Sequence, residues 1–212
     1  MNICIILNGE IKDYKATKKI VNNNYDYIIC ADGGSNHAYK MEIIPDYIIG
    51  DLDSSNANVI EYFRGCDVIF EKFPSKKNET DTELCIYLAN KLGATKIDFI
   101  GALGGRADHM LANVSLLYYV RNMNIIPRIL TESEEMYVAI NEEVIIKGKV
   151  KDTLSVIPLG GDANGVTLSG FEYPLDNYNM KYGLPLGISN VMLEDKCSIK
   201  VNKGSLLIVR NK

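Results

Sequence analysis

The first 126 residues alternate short apolar runs with longer amphipathic stretches. Continuous apolar strands separated by helices are typical of a parallel sheet that is covered by helices on both faces. The predicted strands are residues 2–8, 26–31, 46–50, 67–71, 96–101 and 125–130. The predicted helices are residues 14–23, 34–42, 55–64, 81–92 and 106–122. We therefore predict an open, mostly parallel α/β sheet.

The last of these helices has apolar residues at a spacing of three and four, which predicts one buried face. The predicted buried residues are Met110, Leu111, Val114, Leu117 and Tyr118.

The pattern changes after about residue 131. Short runs rich in Val, Ile and Leu follow one another, separated by turn residues and without a convincing helix. The predicted strands are residues 136–140, 144–146, 154–159, 166–168, 198–201 and 206–209. Many short strands at this spacing indicate an antiparallel sandwich or a small barrel. We therefore predict an α/β domain over residues 1–130 and an all-β domain over residues 131–212.

Composition narrows the classes of function. The chain of 212 residues has a net charge of −4, which gives no basic surface for nucleic acid or an anionic membrane. Its five cysteines are odd in number and contain no CxxC pair, which indicates reduced thiols in a cytoplasmic protein. The N-terminal apolar run is too short for a membrane span and lacks a basic leader, and we read it as a buried strand.

Carboxylates follow four successive apolar runs. Asp32 ends the second predicted strand, and Asp51 with Asp53 follows the third. Asp81 comes after the fourth run and Asp108 after the fifth. Parallel strands bring such residues to one edge of the sheet, where open α/β sheets bind ligands. Carboxylates without accompanying His or Cys favour a hard cation such as Mg²⁺, and we expect it to carry phosphates.

The pair Asp51 and Asp53 has two interpretations. In an extended segment, side chains two residues apart point the same way, so both carboxylates could ligate one ion while Leu52 faces the core. Alternatively, this segment is a polar turn with Asp53 or Ser54 as a helix N-cap.

Two other turns are equally open. Asp32, Gly33 and Gly34 form a strand-to-helix turn whose backbone N–H groups could face a ligand, or a plain turn. Thr80 and Glu83 match a capping box, which does not exclude Asp81 from reaching a metal.

Residues 101–109 form the most specific local feature. A glycine-rich turn leads from a strand into a helix and delivers Arg106, Asp108 and His109 within four residues. The planar fork of Arg106 suits phosphate oxygens, and Asp108 could face a hydroxyl or a cation. A basic patch is formed by Lys72, Lys76 and Lys77. It either faces phosphate or is a solvated loop.

Taken in order, five segments resemble the motifs of the thiamine pyrophosphokinase family. These segments are residues 31–34, 45–54, 80–83, 101–109 with Asn113, and 187–190. They span both predicted domains. The resemblance implies an N-terminal α/β domain followed by a C-terminal β-sandwich. It also implies transfer of a pyrophosphoryl group from ATP to the hydroxyl of thiamine, with Mg²⁺, giving thiamine diphosphate and AMP.

The resemblance implies a homodimer with shared active sites, in which thiamine lies between the α/β domain of one subunit and the β domain of the other. It places Asp51, Asp53 and Asp81 on Mg²⁺ and Arg106 on phosphate oxygens. Asp108 would orient the thiamine hydroxyl as a base or help to bind metal. The implied substrate contacts are Asp32, Gly33, Thr80, His109, Asn113, Tyr173, Ser189 and Asn190.

The thiamine pocket is where the chain departs from this pattern. Some relatives place a Trp on thiamine, whereas this chain has none. Tyr173 could instead give the cationic thiazolium a cation–π face.

Two other classes of function fit parts of the pattern. A Mg²⁺-dependent phosphohydrolase or another nucleotide-using transferase would use the same acidic cluster. A non-catalytic module that senses a nucleotide or thiamine would be expected to lack one or more of these carboxylates, and none is missing.

Overall fold

The structure is a computed structural model that describes residues 1–22, 25–72 and 79–212. The predicted basic residues Lys76 and Lys77 lie outside the described residues. The chain divides into two compact units, Met1–Glu132 (unit 1) and Ser133–Lys212 (unit 2). No helix of the described residues is long and apolar enough to cross a membrane.

Unit 1 is a parallel sheet that alternates with helices, as predicted. Its strands are β1 (Asn2–Ile6), β2 (Tyr27–Ala31), β3 (Tyr47–Gly50), β4 (Ile69–Lys72), β5 (Lys96–Ile100) and β6 (Ile126–Leu130). Its helices are α1 (Tyr14–Val21), α2 (Gly34–Lys40), α3 (Ala57–Arg64), α4 (Asp81–Lys91) and α5 (Ala107–Asn122). The strand order is β6-β5-β1-β2-β3-β4, and each pairing between these neighbours is parallel.

This order creates a switch point beside β1. The chain adds β2, β3 and β4 on one side of β1 and then returns to place β5 on its other side. In open α/β sheets, ligands bind at the carboxyl ends of the strands beside such a switch point. The sheet is buried on both faces. Ile3 and Ile5 of β1 point to one face and Cys4 and Ile6 to the other, and all four are fully buried.

Helix ends in unit 1 are set by local side-chain chemistry. The Asp13 carboxylate accepts hydrogen bonds from the backbone N–H groups of Lys15 and Ala16, at 2.9 and 3.0 Å, and so starts α1. The predicted capping box starts α4, since Thr80 accepts from Glu83 N–H and the Glu83 carboxylate accepts from Thr80 N–H.

The predicted buried face of α5 is wrong at two positions. Leu117 and Val120 are fully buried, whereas Leu111 is 62% exposed and Tyr118 is 42% exposed. The observed inner face follows a different set of residues spaced three and four apart, namely Met110, Asn113, Leu117 and Val120. The inner face includes the polar Asn113, whose amide binds the Ala102 carbonyl, and an apolar pattern could not reveal it.

Unit 2 is an antiparallel β-sandwich. Its strands are β7 (Glu134–Ile140), β8 (Glu143–Lys147), β9 (Thr153–Pro158), β10 (Ala163–Ser169), β11 (Leu175–Met180), β12 (Asn190–Val191), β13 (Lys196–Lys203) and β14 (Ser205–Asn211). One sheet has the order β12-β9-β14-β7 and the other has the order β11-β10-β13-β8. Inward-facing residues of both sheets, such as Val156, Val166, Ile199 and Ile208, share one core.

Two strands of unit 2 have no counterpart among the predicted strands. β11 contains Asp176, Asn177 and Asn179, lies at the edge of its sheet and exposes its central residues on both faces. Such a strand has no hydrophobic alternation for the sequence to reveal. β12 has only 2 residues.

Candidate active site

A cavity of about 480 Å³ opens at the carboxyl ends of the strands of unit 1. Its lining comes from the ends of β1, β2, β3 and β5 and from the first turns of α4 and α5. The lining residues are Leu7, Asn8, Gly9, Ala31, Asp32, Gly33, Asp51, Asp53, Ser54, Glu79, Thr80, Asp81, Thr82, Ala102, Gly104, Gly105, Arg106, His109 and Asn113. The structure therefore brings together most of the site residues that the sequence predicts in this unit.

The end of β1 is part of the site that sequence reasoning missed. Leu7 and Gly9 donate backbone hydrogen bonds to the carbonyls of Ile100 and Gly101, at 2.8 and 2.7 Å, so the loop after β1 runs beside the loop after β5. A Cβ atom at Gly9 would lie 2.4 Å from the Gly101 carbonyl oxygen. The signal was available, since Asn8 and Gly9 follow the first apolar run as the aspartates follow the later ones.

His37 of α2 also binds the loop that follows β1. Its Nε2 lies 2.8 Å from the Gly9 carbonyl oxygen, and because a carbonyl only accepts, Nε2 carries the proton. Its Nδ1 lies 2.8 Å from the Tyr14 hydroxyl, which donates to it in this tautomer. Burial lowers the pKa of His37, so the neutral ring is favoured.

Close packing requires a glycine at position 34 and leaves little room for a side chain at position 33. A Cβ atom at Gly33 would lie 2.4 Å from the side chain of Asn8, and one at Gly34 would lie 2.1 Å from the carbonyl oxygen of Ile6. α2 therefore begins directly against the end of β1. This contact places Asp32 at the centre of the strand ends.

Asp32 is 7% exposed and accepts two hydrogen bonds. Its Oδ2 accepts from Ser54 N–H at 3.2 Å, and its Oδ1 accepts from the Ser55 hydroxyl at 3.1 Å. Burial raises the pKa of Asp32, and the hydrogen bonds from Ser54 and Ser55 oppose that rise. The carboxylate is therefore held in place by the segment that carries the other two acidic residues.

Asp32, Asp51 and Asp53 form one carboxylate cluster. Each offers an oxygen atom, and these atoms all lie within 4.8 Å of one another. The Asp51 carboxylate also accepts from Asp53 N–H at 3.2 Å. Three oxygen ligands at this spacing fit a hard divalent cation such as Mg²⁺ or Mn²⁺.

The backbone between Asp51 and Asp53 is not extended, so the first interpretation from sequence is wrong. The segment bends, as in the second interpretation, but the N-cap of α3 is Asn56 and not Asp53 or Ser54. Leu52 has φ +70°, a left-handed conformation that costs a branched residue roughly 1–2 kcal/mol. Its side chain packs against the core of unit 1, as predicted, which offsets that cost. A tight bend anchored by Leu52 thus brings the two carboxylates together.

Asp81 lies at the cavity wall, next to the end of β3. A Cβ atom at Gly50 would lie 3.3 Å from a carboxylate oxygen of Asp81 and 3.0 Å from the Cβ of Asp32. Gly50 has φ +141°, which disfavours any other residue. Gly50 thus lies between Asp81 and Asp32, and a side chain there would crowd both. The cluster of three carboxylates found among the described residues does not include Asp81.

Arg106 and Asp108 form a bidentate ion pair. Arg106 Nε and Nη2 donate to the two oxygens of Asp108, at 3.1 and 2.6 Å. The two side chains are 72% and 63% exposed. The hydrogen bonds from Arg106 lower the pKa of Asp108, which keeps that carboxyl ionised. Arg106 lines the cavity, whereas Asp108 is not among the described lining residues.

His109 and Asn113 line the cavity from α5. The Asn113 amide donates to the Ala102 carbonyl at 2.9 Å and so fixes α5 to the loop after β5. His109 is exposed. Lys72 ends β4 and is also exposed, and it does not line the described cavity.

The remaining predicted site residues belong to unit 2. Tyr173 is 63% exposed, and Ser189 is exposed with φ +59°. Ser189 N–H donates to the Ser155 hydroxyl at 3.0 Å. Asn190 is 4% exposed, and its amide binds the backbone N–H and carbonyl of Tyr173, at 3.0 and 2.7 Å. The Asn190 side chain therefore positions Tyr173.

Comparisons with known proteins agree on one family. The profile described as thiamin pyrophosphokinase, catalytic domain, matches residues 18–127, and the profile described as thiamin pyrophosphokinase, vitamin B1 binding domain, matches residues 141–206. Thiamine pyrophosphokinase of Bacillus subtilis (strain 168) is 30% identical over 184 residues, which covers 86% of each chain. Thiamine pyrophosphokinase 1 of Oryza sativa subsp. japonica is 28% identical over 207 residues, covering 85% of this chain and 76% of that relative.

A solved structure shows the same architecture. The crystal structure of the Bacillus subtilis thiamine pyrophosphokinase superposes with a TM-score of 0.89 at 27% sequence identity. The superposition covers 100% of this chain and 99% of that chain. The likeness thus extends over both units of the chain.

Proposed function

This chain belongs to the thiamine pyrophosphokinase family, and we infer that it transfers a pyrophosphoryl group from ATP to the hydroxyl of thiamine. The products are thiamine diphosphate and AMP. The observation that carries this reading is the carboxylate cluster of Asp32, Asp51 and Asp53 inside the segment that matches the family's catalytic domain. A phosphoryl-transfer site needs such a cluster to hold the cation that accompanies ATP.

We propose that Asp51 and Asp53 bind Mg²⁺, with Asp32 beside them as a third oxygen donor. Their oxygen atoms all lie within 4.8 Å of one another, which suits a single hard cation. Bound Mg²⁺ would neutralise phosphate charge as the bond between the α- and β-phosphates breaks. Asp81 stands next to this cluster across Gly50, and we place it on the same ion or on one of its water ligands.

We propose that ATP occupies the 480 Å³ cavity with its phosphates between the carboxylate cluster and Arg106. Arg106 lines the same cavity as the carboxylate cluster, and its fork matches two phosphate oxygens. Its present partner, Asp108, is exposed, so an ion pair of this kind costs little to rearrange. Thr80, Gly33, His109 and Asn113 complete the proposed nucleotide contacts.

The chemical step is a displacement at the β-phosphorus of ATP. The thiamine hydroxyl oxygen forms the new P–O bond, the bond to the α-phosphate oxygen breaks, and AMP leaves with that oxygen. The hydrogen bonds from Arg106 lower the pKa of Asp108 and so keep it ionised in the ion pair. We propose that, when Arg106 binds the phosphates, the Asp108 carboxylate orients the thiamine hydroxyl and accepts its proton.

The thiamine end of the site is assigned to unit 2. We propose that Tyr173 stacks on the cationic thiazolium and that Ser189 hydrogen-bonds the substrate. The amide of Asn190 fixes the backbone of Tyr173 and supports this placement. Residues 141–206 match the vitamin B1 binding domain of the family, which supports the same assignment.

We also propose a homodimer with shared active sites. Unit 2 exposes four large apolar side chains along residues 182–188, namely Tyr182, Leu184, Leu186 and Ile188. A row of exposed apolar residues favours a protein partner. A second copy of this chain would cover that row and would bring Ser189 and Tyr173 to the active site of the first.

The proposed compartment is the cytoplasm. All five cysteines are free thiols, and four of them are buried, which suits a reducing environment. The net charge of −4 favours small-molecule substrates over nucleic acid.

The reaction is tested by separating the products of a mixture of protein, thiamine and Mg-ATP. The proposal predicts equal amounts of AMP and thiamine diphosphate. Formation of ADP and thiamine monophosphate would keep a kinase but overturn transfer of a pyrophosphoryl group. Release of phosphate without a thiamine product would favour a phosphohydrolase.

A further inference from the structure

Asn36 of α2 binds the segment that carries the acidic pair. We call residues 51–56, which join β3 to α3, the metal loop. The Asn36 amide Nδ2 donates to the Ser54 carbonyl at 3.0 Å, and its Oδ1 accepts from Asn56 N–H at 2.9 Å. Both polar ends of this side chain are therefore used on the backbone of the metal loop.

The metal loop depends on these bonds for its shape. Asn56 is the N-cap residue of α3, and its own side chain makes no capping hydrogen bond. The loop contains Leu52 in a left-handed conformation, which must be held by contacts elsewhere. Asn36 therefore fixes the backbone at Ser54 and at Asn56, between Asp53 and the start of α3.

A neighbouring chain of hydroxyl groups works in the same direction. The Ser35 and Ser55 hydroxyls lie 2.9 Å apart, and the Ser55 hydroxyl donates to Asp32 at 3.1 Å. α2 thus holds the metal loop through two consecutive residues, Ser35 and Asn36. Asn36 differs in that these hydrogen bonds go to backbone groups of the metal loop, and it is not among the described residues that line the cavity.

We propose that Asn36 is a positioning residue for divalent-cation binding, because it holds Asp51 and Asp53 against Asp32 through the backbone of the metal loop. This inference rests on the Mg²⁺ site proposed above. Without Asn36, the loop would sample arrangements in which the three carboxylates do not converge. The cation would then bind more weakly, while the chemistry of the bound complex would be little changed.

The test compares Mn²⁺ binding by wild-type protein and by Asn36→Ala in the absence of nucleotide. Mn²⁺ is a substitute for Mg²⁺ whose free concentration is read directly by electron paramagnetic resonance. Each lost hydrogen bond is worth about 1 kcal/mol, so we expect the Mn²⁺ dissociation constant to rise at least about fivefold. In the activity assay, the Mg²⁺ concentration for half-maximal rate should rise similarly, and kcat at saturating Mg²⁺ should change less than threefold, as expected for ~0.6 kcal/mol or less.

A second variant approaches the same bond from the loop. Asn56 has φ −67°, which proline adopts, so Asn56→Pro removes the N–H donor without straining φ at that position. It should weaken Mn²⁺ binding less than Asn36→Ala does. The double variant should bind Mn²⁺ with nearly the affinity of Asn36→Ala, because both changes remove the same bond. If Asn36→Ala does not fold, Asn56→Pro still carries the test.

Two controls separate the possible failures. Asn122→Ala removes an asparagine whose amide donates to the Tyr118 carbonyl at the far end of α5, and it should leave Mn²⁺ binding unchanged. Asp53→Asn should reduce Mn²⁺ binding strongly and so locate the ion. If Asp53→Asn reduces binding while folded Asn36→Ala and Asn56→Pro do not, the role of Asn36 is refuted and the metal site stands. If Asp53→Asn has no effect, or wild-type protein binds no Mn²⁺, the metal site is refuted and the inference with it.

Discussion

Three carboxylates in unit 1 lie within reach of one cation, and their negative charges repel one another when no cation is present. Asp32 is buried and fixed by two hydrogen bonds, whereas Asp53 is exposed at the mouth of the cluster. Asp53 can therefore be neutralised without disturbing the core. This makes Asp53 the most informative single residue to change.

We predict that Asp53→Asn lowers turnover by at least about 100-fold, which corresponds to ~2.7 kcal/mol of transition-state stabilisation. The amide keeps the shape of the side chain but removes the charge that holds the cation. Because Asp53 is exposed, thermal unfolding should be nearly unchanged. The measurement is kcat at saturating ATP, thiamine and Mg²⁺, together with a melting curve.

The matched control is Asp67→Asn. Asp67 is also an exposed aspartate of unit 1, but it precedes β4 and so lies at the opposite end of the strands from the cavity. This control should retain full turnover. A folded Asp53→Asn variant with near-normal kcat would remove Asp53 from the site.

The buried ring of His37 predicts a dependence of stability on pH. Burial lowers the pKa of His37 in the folded chain below 6.5, and nearby Lys40 adds to this effect. Below pH 6.5, His37 binds a proton in the unfolded chain but stays neutral in the folded chain until the pH reaches its lowered pKa. The contribution of neutral His37 to the free energy of unfolding is therefore complete above pH 6.5 and is lost as the pH falls through the folded-state pKa.

The measurement is the free energy of unfolding in urea at pH 7.5, 6.5 and 5.5, for wild-type protein and His37→Gln. Wild-type stability should fall more steeply between pH 6.5 and 5.5 than that of the variant. Asp32, whose pKa is raised, acts in the opposite sense at lower pH and is common to both proteins. Parallel pH profiles for the two proteins would show that His37 does not titrate in this way.

Sequence reasoning found the acidic residues of the site because one rule applies to all of them. Asp32, Asp51 and Asp53 each follow a strand that the apolar pattern reveals, and parallel strands end at one edge. It could not find Asn36, since an asparagine in a short helix carries no pattern that points to a loop twenty residues away. It also could not foresee the left-handed Leu52, because that conformation is imposed by packing.

At the scale of elements, the order of strands and helices in unit 1 was predictable because each element carries its own period and its own boundaries. The mostly apolar runs of β1, β2 and β5 are short and are flanked by turn residues, which favours strands buried on both faces. α5 and β11 show the limit. The inner face of α5 includes the polar Asn113, which an apolar pattern does not reveal, and β11 is an exposed edge strand whose pairing to β10 is decided by tertiary contacts.

The start of α4 gives a prediction at this scale. Thr80→Ala removes the acceptor for Glu83 N–H and should lower the free energy of unfolding by about 1 kcal/mol. Thr80→Ser retains the cap and should recover most of that loss. Urea denaturation of the three proteins measures both effects. Equal stability of the Ala and Ser variants would mean that the capping box contributes nothing measurable.

At the scale of the whole molecule, the two units divide the proposed work. Unit 1 carries the carboxylates and Arg106, and unit 2 carries Tyr173 and Ser189. Residues 187–190 are held on β9, since Gly187 accepts from Val156 N–H at 2.9 Å and a Cβ atom at Gly187 would lie 2.4 Å from the Val156 carbonyl oxygen. Ser189 is thus presented by a fixed segment.

We predict that Ser189→Ala raises the KM for thiamine about fivefold, as expected for one lost hydrogen bond of ~1 kcal/mol, and leaves the KM for ATP nearly unchanged. Ser169→Ala is the control, because Ser169 is an exposed serine at the end of β10. Steady-state kinetics with each substrate varied in turn gives both values. A change confined to the KM for ATP would contradict the assignment of thiamine to unit 2.

The most direct test of the metal-dependent site is the position of a bound ion. Crystals grown with Mn²⁺ and an ATP analogue that carries a methylene group between its α- and β-phosphates would locate the ion by its anomalous scattering. The predicted result is a Mn²⁺ peak at 2.0–2.4 Å, roughly the distance of carboxylate ligands, from oxygens of Asp51 and Asp53, with Asp32 beside it. An ion bound elsewhere, with these carboxylates empty in the presence of the nucleotide, would contradict the proposed site.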